Sequence, residues 1–504
     1  MAAVLTPGDN LPKRIKRTYE IPEEGISITE HNKDFFAALE RCPMYNKIVL
    51  AGNPGVLSDP LASAYGFNME KKAHPNLVDP TMFPGAWEIE REAISMLAHL
   101  FDHPDHKKAF GWFTDGGTAS IEQAGWTFRN RFYRDLESMT NREFDKYKNR
   151  GTIRENGLLG LVANGFINPS KQPIILAPVD AHFAIEKVAD VLGIGQRNII
   201  RYGLNPDFTT DYKSLENLLH SLSSQEQKIM FAFANAGAVN TGRIENTEEF
   251  TRILNNCLDY RVPVIVDAAQ QWLLLGLFRH LYPVWDFRAN SVDAIVADPH
   301  KTEAAPYSSS AILFRSKDYA NDTKNANAYL CVDDPLEYDM KEEMMLLPTL
   351  ATSRTSIGAT STWAYLRLNG KQRLRDKHER LLNITDTIAN YIKTSKYYTL
   401  LCEPQTTIVP FHVKNLDDAE ASCIYRSFIT SLEEPRFYIG RSDCMRVRSC
   451  IEFLQYSQLK DKNPNTKVNG FGGLYIQVMP NLTEALSQRL IEKLDRFGFE
   501  NAGK

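Results

Sequence analysis

No apolar run in this chain approaches the ~20 residues a helix needs to cross a bilayer. Residues Met1 to Asp9 show no basic region leading into a long apolar one, so no secretory leader is expected. Cysteine is sparse and irregular. Seven occur, at Cys42, Cys257, Cys331, Cys402, Cys423, Cys444 and Cys450, with no C-x-x-C pair and no Cys/His cluster. That argues against a disulfide framework and against a metal site, and it points to a reducing, cytoplasmic setting. A surplus of one charge is missing too. The net charge is −4, which leaves no basic excess for nucleic acid or an anionic membrane. Internal repeats and low-complexity segments are absent.

What is present is ordinary globular composition at unusual length. The 504 residues are 43% hydrophobic and 24% charged, enough for two or three domains. Residues 1–70 mix polar, Pro and Gly positions with short helical pieces such as Asp34 to Arg41, and read as an arm. Residues 71–370 read as a large α/β unit. Glu88 to Phe101 has helical periodicity. From 172 the chain alternates strand with helix. Strands are expected at Pro173–Pro178, Lys228–Ala234, Val262–Val266 and Val292–Ala297, with a returning strand at Tyr307–Phe314. Helices are expected at Ala181–Leu192 and Glu248–Leu258. Such alternation requires crossover connections and a mostly parallel sheet flanked by helices, with ligands at the carboxyl ends of the strands. Helices at Ala359–Leu368 and His378–Lys393 lead to residues 371–504. There, strands at Thr406–Val413 and Gly473–Val478 and helices at Asp418–Ser431 and Thr483–Phe497 predict a small α+β unit.

Four features at expected strand ends carry chemistry. Lys301 leaves its strand through Asp298-Pro299-His300, where the proline forces a turn; a lysine there suits a Schiff base with a carbonyl cofactor. Asp267 ends a buried strand, where a carboxylate can hold a ring nitrogen protonated. His182 sits at a helix start, where its flat ring can stack on a cofactor. Gly116, Gly117 and Thr118 lead into a helix, with close-approaching amides and a hydroxyl at the positive end of its dipole, a recipe for holding phosphate. Each has a bland alternative: a solvated loop lysine, a strand-end cap, a satisfied half-buried histidine, a glycine turn with Thr118 as N-cap. All four together, in this order, are specific.

The chain resembles the group II pyridoxal-phosphate-dependent amino acid decarboxylases of fold type I. The segments Val78 to Glu90, Asp115 to Thr118, Val266 to Ala269 and Asp298 to Lys301 carry the resemblance, which looks most like the archaeal and bacterial tyrosine/aspartate branch and runs from about 70 to 370. It continues weakly at Cys402 to Phe411, similar to that family's small C-terminal domain. The resemblance implies pyridoxal 5'-phosphate as cofactor and a homodimer with shared active sites. Lys301 would anchor the cofactor, Asp267 pair with its ring nitrogen, His182 stack over the ring, and Ala269 pack on the opposite face. Gly116, Gly117 and Thr118 would bind phosphate with His300 close by. Tyr329 would be the mobile-loop proton donor. Ser353 and Arg354 would reach the neighbouring subunit's phosphate or substrate, although Arg354 also reads as an ion-pair residue.

Three departures stand out. Asn235 to Asn240 reads Asn-Ala-Gly-Ala-Val-Asn where the family usually has Gly-Thr-Thr. Ala119 stands in place of a glutamate. Gln270, Gln271 and Trp272 replace small residues. Decarboxylation of an L-amino acid with a tyrosine-like or an aspartate-like side chain is the expectation. Aldehyde-forming oxidative deamination, carbon–carbon lysis, or a non-catalytic cofactor-binding role remain the alternatives.

Overall fold

The computed structural model describes residues 48–51, 58–80, 82–140, 152–163, 171–323, 348–415, 436–442 and 472–501, with a few isolated positions besides. The expected helix Asp34–Arg41, nearly all of the expected helix Asp418–Ser431, and Tyr329 lie outside the described residues.

Twelve strands are assigned among those residues. In chain order they are β1 (Ile48–Ala51), β2 (Phe110–Thr114), β3 (Ile174–Pro178), β4 (Ile199–Tyr202), β5 (Ile229–Asn235), β6 (Val264–Asp267), β7 (Val292–Ala297), β8 (Ser310–Phe314), β9 (Tyr398–Leu400), β10 (Ile408–Val413), β11 (Arg436–Ser442) and β12 (Gly473–Gln477). Seven of them form a central sheet in the order β2-β8-β7-β6-β5-β3-β4. The run from β7 to β4 is parallel, while β8 returns antiparallel and β2 closes the edge antiparallel to β8. This is the mostly parallel α/β sheet expected from the alternation.

Both faces of the sheet are covered, which is why its strands read as continuous apolar runs. Successive side chains alternate between two cores. Ala232, Ala234, Val264 and Val266 enter one, with Ile94, Leu97, Leu254 and Trp272. Phe231, Phe233 and Ile265 enter the other, with Phe128, Ile185 and Val188.

A second sheet, in the order β1-β11-β12-β10-β9, has its own core around Ile388, Phe411, Ile476 and Leu490. Its edge strand β1 comes from the opposite end of the chain and pairs parallel with β11. The helical run Ile357–Thr394 joins the two units. Ala359, Ala364 and Leu374 belong to the first core, whereas Leu381, Ile384 and Ile392 belong to the C-terminal one. The two helices expected here meet at a kink at Gly370 (φ 66°, ψ 166°), a backbone region open essentially to glycine alone. Among the described residues, no helix is long and apolar enough to cross a membrane.

Candidate active site

The carboxyl ends of the parallel strands all face one edge, and polar residues stand at most of them. Asn235 and Asp267 end β5 and β6 and are register partners. Asp180 and His182 follow β3, and Asp298 follows β7.

The Lys301 turn is a single turn of 3-10 helix, Pro299–Lys301. The main chain of Asp298 fixes it: its N–H donates to the Ala269 carbonyl at 3.1 Å, and its carbonyl accepts from the Lys301 N–H at 3.0 Å. The indole Nε1 of Trp272 donates to that same carbonyl at 3.2 Å. Lys301 Nζ lies 3.0 Å from Oδ2 of Asp298, a buried carboxylate. Burial pushes the Lys301 amine down, but the attraction of Asp298 and Asp267 outweighs it and the net shift is upward. His300 is also buried, with Nε2 3.8 Å from Asp298 Oδ2 and its ring 4.3 Å from that of Tyr307.

Asp267 accepts the Ala269 N–H through Oδ1 at 3.0 Å. Burial raises its carboxyl above the usual carboxylate range, opposed by Lys301 and then His182. His182 is half-buried in the turn preceding helix Ala184–Val191 rather than inside the helix expected from Ala181. Its Nδ1 accepts the Ala184 N–H at 3.2 Å, a bond that caps the turn where the helix starts later than periodicity suggested. Burial lowers the His182 pKa, Asp267 opposes and Lys301 adds to the lowering, so the ring is held neutral near pH 7. Lys301, Asp267 and His182 thus act on one another electrostatically in one place.

Gly116 (φ 139°) precedes the helix Gly117–Thr140, and a side chain at 116 would meet nothing within 4 Å. Space is therefore open on that side of the turn. On the other side, a Cβ at Gly117 would stand 2.7 Å from Asp298 Oδ2, so only glycine lets the helix start abut the Lys301 turn. Hydroxyls bind the same two elements together: Thr114 to Ser120 at 2.7 Å, Ser120 to Ser310 at 2.8 Å, and Ser310 to the Ala297 carbonyl at 3.1 Å.

A scan of known families matches residues 167–414 to the pyridoxal-dependent decarboxylase conserved domain. Those residues carry the pyridoxal-dependent decarboxylase domain. Among curated relatives, it is 27% identical over 340 residues to a probable L-tyrosine/L-aspartate decarboxylase of Methanothermobacter thermautotrophicus, covering 67% of this chain and 76% of that one. It is 24% identical to the L-aspartate/L-glutamate decarboxylase of Pyrococcus horikoshii, covering 68% of this chain and 75% of that one. Solved structures share the fold at low identity. Lactobacillus brevis glutamate decarboxylase matches with a TM-score of 0.70 at 14% identity, over 96% of this chain and 94% of that one. Catharanthus roseus tryptophan decarboxylase in complex with L-tryptophan matches with a TM-score of 0.70 at 16% identity, over 95% and 90%.

The cofactor of this domain is pyridoxal 5'-phosphate, and the residues present fit it. The helix start at Gly117, with open space beside Gly116, suits a phosphate. Asp267 keeps one carboxylate oxygen uncommitted to the main chain for a ring N–H.

Arg354 is placed elsewhere. Its guanidinium binds both carboxylate oxygens of the buried Glu90 and the carbonyls of Phe113 (3.2 Å) and Leu77 (3.1 Å), all in its own chain. Ser353 is exposed. Ala269 is buried at the Asp298 contact.

Two contributions were not legible in the sequence. The indole of Trp272, one of the departures, braces the Lys301 turn. Arg243, buried, bridges Asp180 (2.9 and 3.0 Å) and Glu245 (3.0 Å), and Asn235 Nδ2 donates to Asp180 Oδ1 at 3.0 Å. This ties the end of β5 to the turn carrying His182. The departures also pack together: a side chain at Gly237 would strike Gln271 Cγ at 2.4 Å. No local pattern signals either arrangement, because each joins segments far apart in sequence.

Proposed function

We propose that this pyridoxal-phosphate-dependent decarboxylase acts on an L-amino acid with an aromatic, tyrosine-like side chain in preference to an aspartate- or glutamate-like one, releasing carbon dioxide and the amine. The observation that carries the chemistry is the mutual electrostatic influence of Lys301, Asp267 and His182 at the strand ends, beside the Gly116–Thr118 turn. When bound, the cofactor supplies an electron-poor ring that accepts the electron pair left behind as carbon dioxide departs.

The chain's own residues do the rest. Lys301 holds the cofactor through its ε-amine. Asp267 would hold a proton on the ring nitrogen, and that cationic partner would oppose the upward push of burial on its carboxyl. His182 covers one face of the ring as a neutral imidazole, and Ala269 leaves room on the other. Gly116, Gly117 and Thr118 receive the phosphate, with His300 at its edge. Tyr329 donates the proton to the substrate α-carbon. Orientation and electrostatics are the protein's share of the rate.

The aromatic preference rests on what flanks the site. Phe183 and Tyr307 are 59% and 61% exposed beside His182 and His300, and Arg354 is committed to Glu90. The same exposed rings support a homodimer in which a second copy covers the mouth of the site.

The test is a panel of L-amino acids with amine and carbon dioxide measured together. Equal amounts of both, fastest with aromatic substrates, are expected. Fastest turnover of aspartate or glutamate would overturn the side-chain assignment, and carbon dioxide without amine would favour aldehyde-forming oxidation.

A further inference from the structure

The largest of the cavities described, about 290 Å³, lies away from the site above. None of Lys301, Asp267, His182 or Thr118 lines it. Three segments far apart in sequence enclose it: the end of helix Pro84–Leu100, the stretch from Gly276 to Arg288, and the helix beyond the Gly370 kink. Its wall carries four cationic side chains, Arg279, Arg288, Lys371 and Arg375, with His99 among them, against a single carboxylate, Asp102.

Local pairing does not neutralise this charge. Arg279 pairs with Asp102, and Arg288 pairs through Nε with Asp286 at 2.7 Å. Arg288 Nη2 is buried with no hydrogen-bond partner. Among the described residues, no carboxylate pairs with Lys371 or Arg375. The Lys371 amine instead contacts the His99 ring at 2.8 Å, and Arg375 Nε reaches only the Leu277 carbonyl at 3.5 Å. Lys371 and Arg375 are also one helical turn apart, where like charges repel. The same crowding acts on the protonation of two of these groups. Burial, then Arg375 and Arg279, lower the Lys371 amine. Burial, then Lys371, His106 and Arg279, lower the His99 ring.

Cations converge in this way, against mutual repulsion, where an anion is received. Guanidinium groups suit oxyanions because their planar forks donate two parallel hydrogen bonds. We propose that this cavity is a second ligand site, separate from the cofactor site, that binds a small multivalent oxyanion such as a phosphorylated or polycarboxylate metabolite.

The test uses the cofactor-loaded protein, so that the phosphate cradle is already filled. Inorganic pyrophosphate and citrate are titrated separately by calorimetry, with potassium chloride at matched ionic strength as control. Saturable binding of pyrophosphate, and a melting temperature raised by it but not by chloride, is expected. Binding of pyrophosphate alone identifies a phosphorylated ligand, and binding of both identifies a general oxyanion site. The double variant Lys371→Gln/Arg375→Gln removes two charge-assisted contacts and weakens pyrophosphate by at least about tenfold. Its cofactor absorbance and amino acid turnover stay unchanged. Arg279→Gln, on a different segment, weakens binding independently. Absence of saturable binding, or unchanged affinity in both variants, overturns the proposal.

Discussion

At the scale of single residues, the site depends on a few buried polar contacts with no slack. Replacing Asp267 with Asn removes the negative charge proposed to hold the ring nitrogen protonated. A loss of kcat of about 10²–10³-fold is expected, the scale of deleting one preorganised electrostatic group. The cofactor absorbance should shift at the same time, because the protonation state of the ring changes. A variant with wild-type kcat and an unchanged spectrum would show that Asp267 does not face the nitrogen. Trp272→Phe keeps the ring and deletes the N–H that braces Asp298. It should cost about 0.5–1.5 kcal/mol in denaturant unfolding, since the carbonyl keeps the Lys301 N–H but loses its second donor. Unchanged stability would mean that this carbonyl finds another donor.

Lys301, Asp267, His182 and the Gly116–Thr118 turn could all be picked out of the sequence because each has a residue type matched to one task and sits at the end of a recognisable element. The contributions of Trp272, Arg243 and Asn235 could not. Their partners lie 26 to 63 positions away, and nothing in a linear pattern specifies such a contact. Arg354 reads in the sequence as either a binding or an ion-pair residue, and within its own chain it pairs with the buried carboxylate of Glu90.

At the scale of elements, the run Ile357–Thr394 is the one to probe. A glycine at 370 adopts a conformation that other residues reach only under strain. Gly370→Ala should cost about 1–3 kcal/mol and, by redirecting Lys371, weaken pyrophosphate in the same calorimetric assay. An undiminished melting temperature would show that the kink is not required. His378 lies in the second half of this run, fully enclosed, and burial lowers its pKa to about 4. The unfolded chain therefore binds a proton that the folded one refuses between about pH 6.5 and 4. Stability is complete above this window and is lost as pH falls through it, by on the order of 3 kcal/mol. Urea midpoints at pH 7 and 4.5 should diverge in the wild type and converge in His378→Phe. An equal fall in both would assign the acid sensitivity to other groups.

At the scale of the whole molecule, the two ends of the chain meet in one sheet. β1 covers the edge of β11 over Ile48–Ala51. Deleting residues 1–51 exposes that edge, so a lower melting temperature and concentration-dependent aggregation are expected. Light scattering and calorimetry on the truncated protein check this, and an unchanged melting temperature would show that β1 is dispensable.

The sequence by itself determined the alternation of strands and helices, the parallel sheet and the kind of chemistry at its carboxyl edge. Those features follow from local periodicity and from residue types with narrow chemical uses. Tertiary structure alone decided that Asp298 holds Lys301, that Trp272 and Arg243 brace the site, that Arg354 pairs with Glu90, that β1 belongs to the C-terminal sheet, and that six basic side chains from three segments surround one cavity. Each of those is a contact between distant parts of the chain, fixed by how the elements pack and invisible to any window of neighbouring residues.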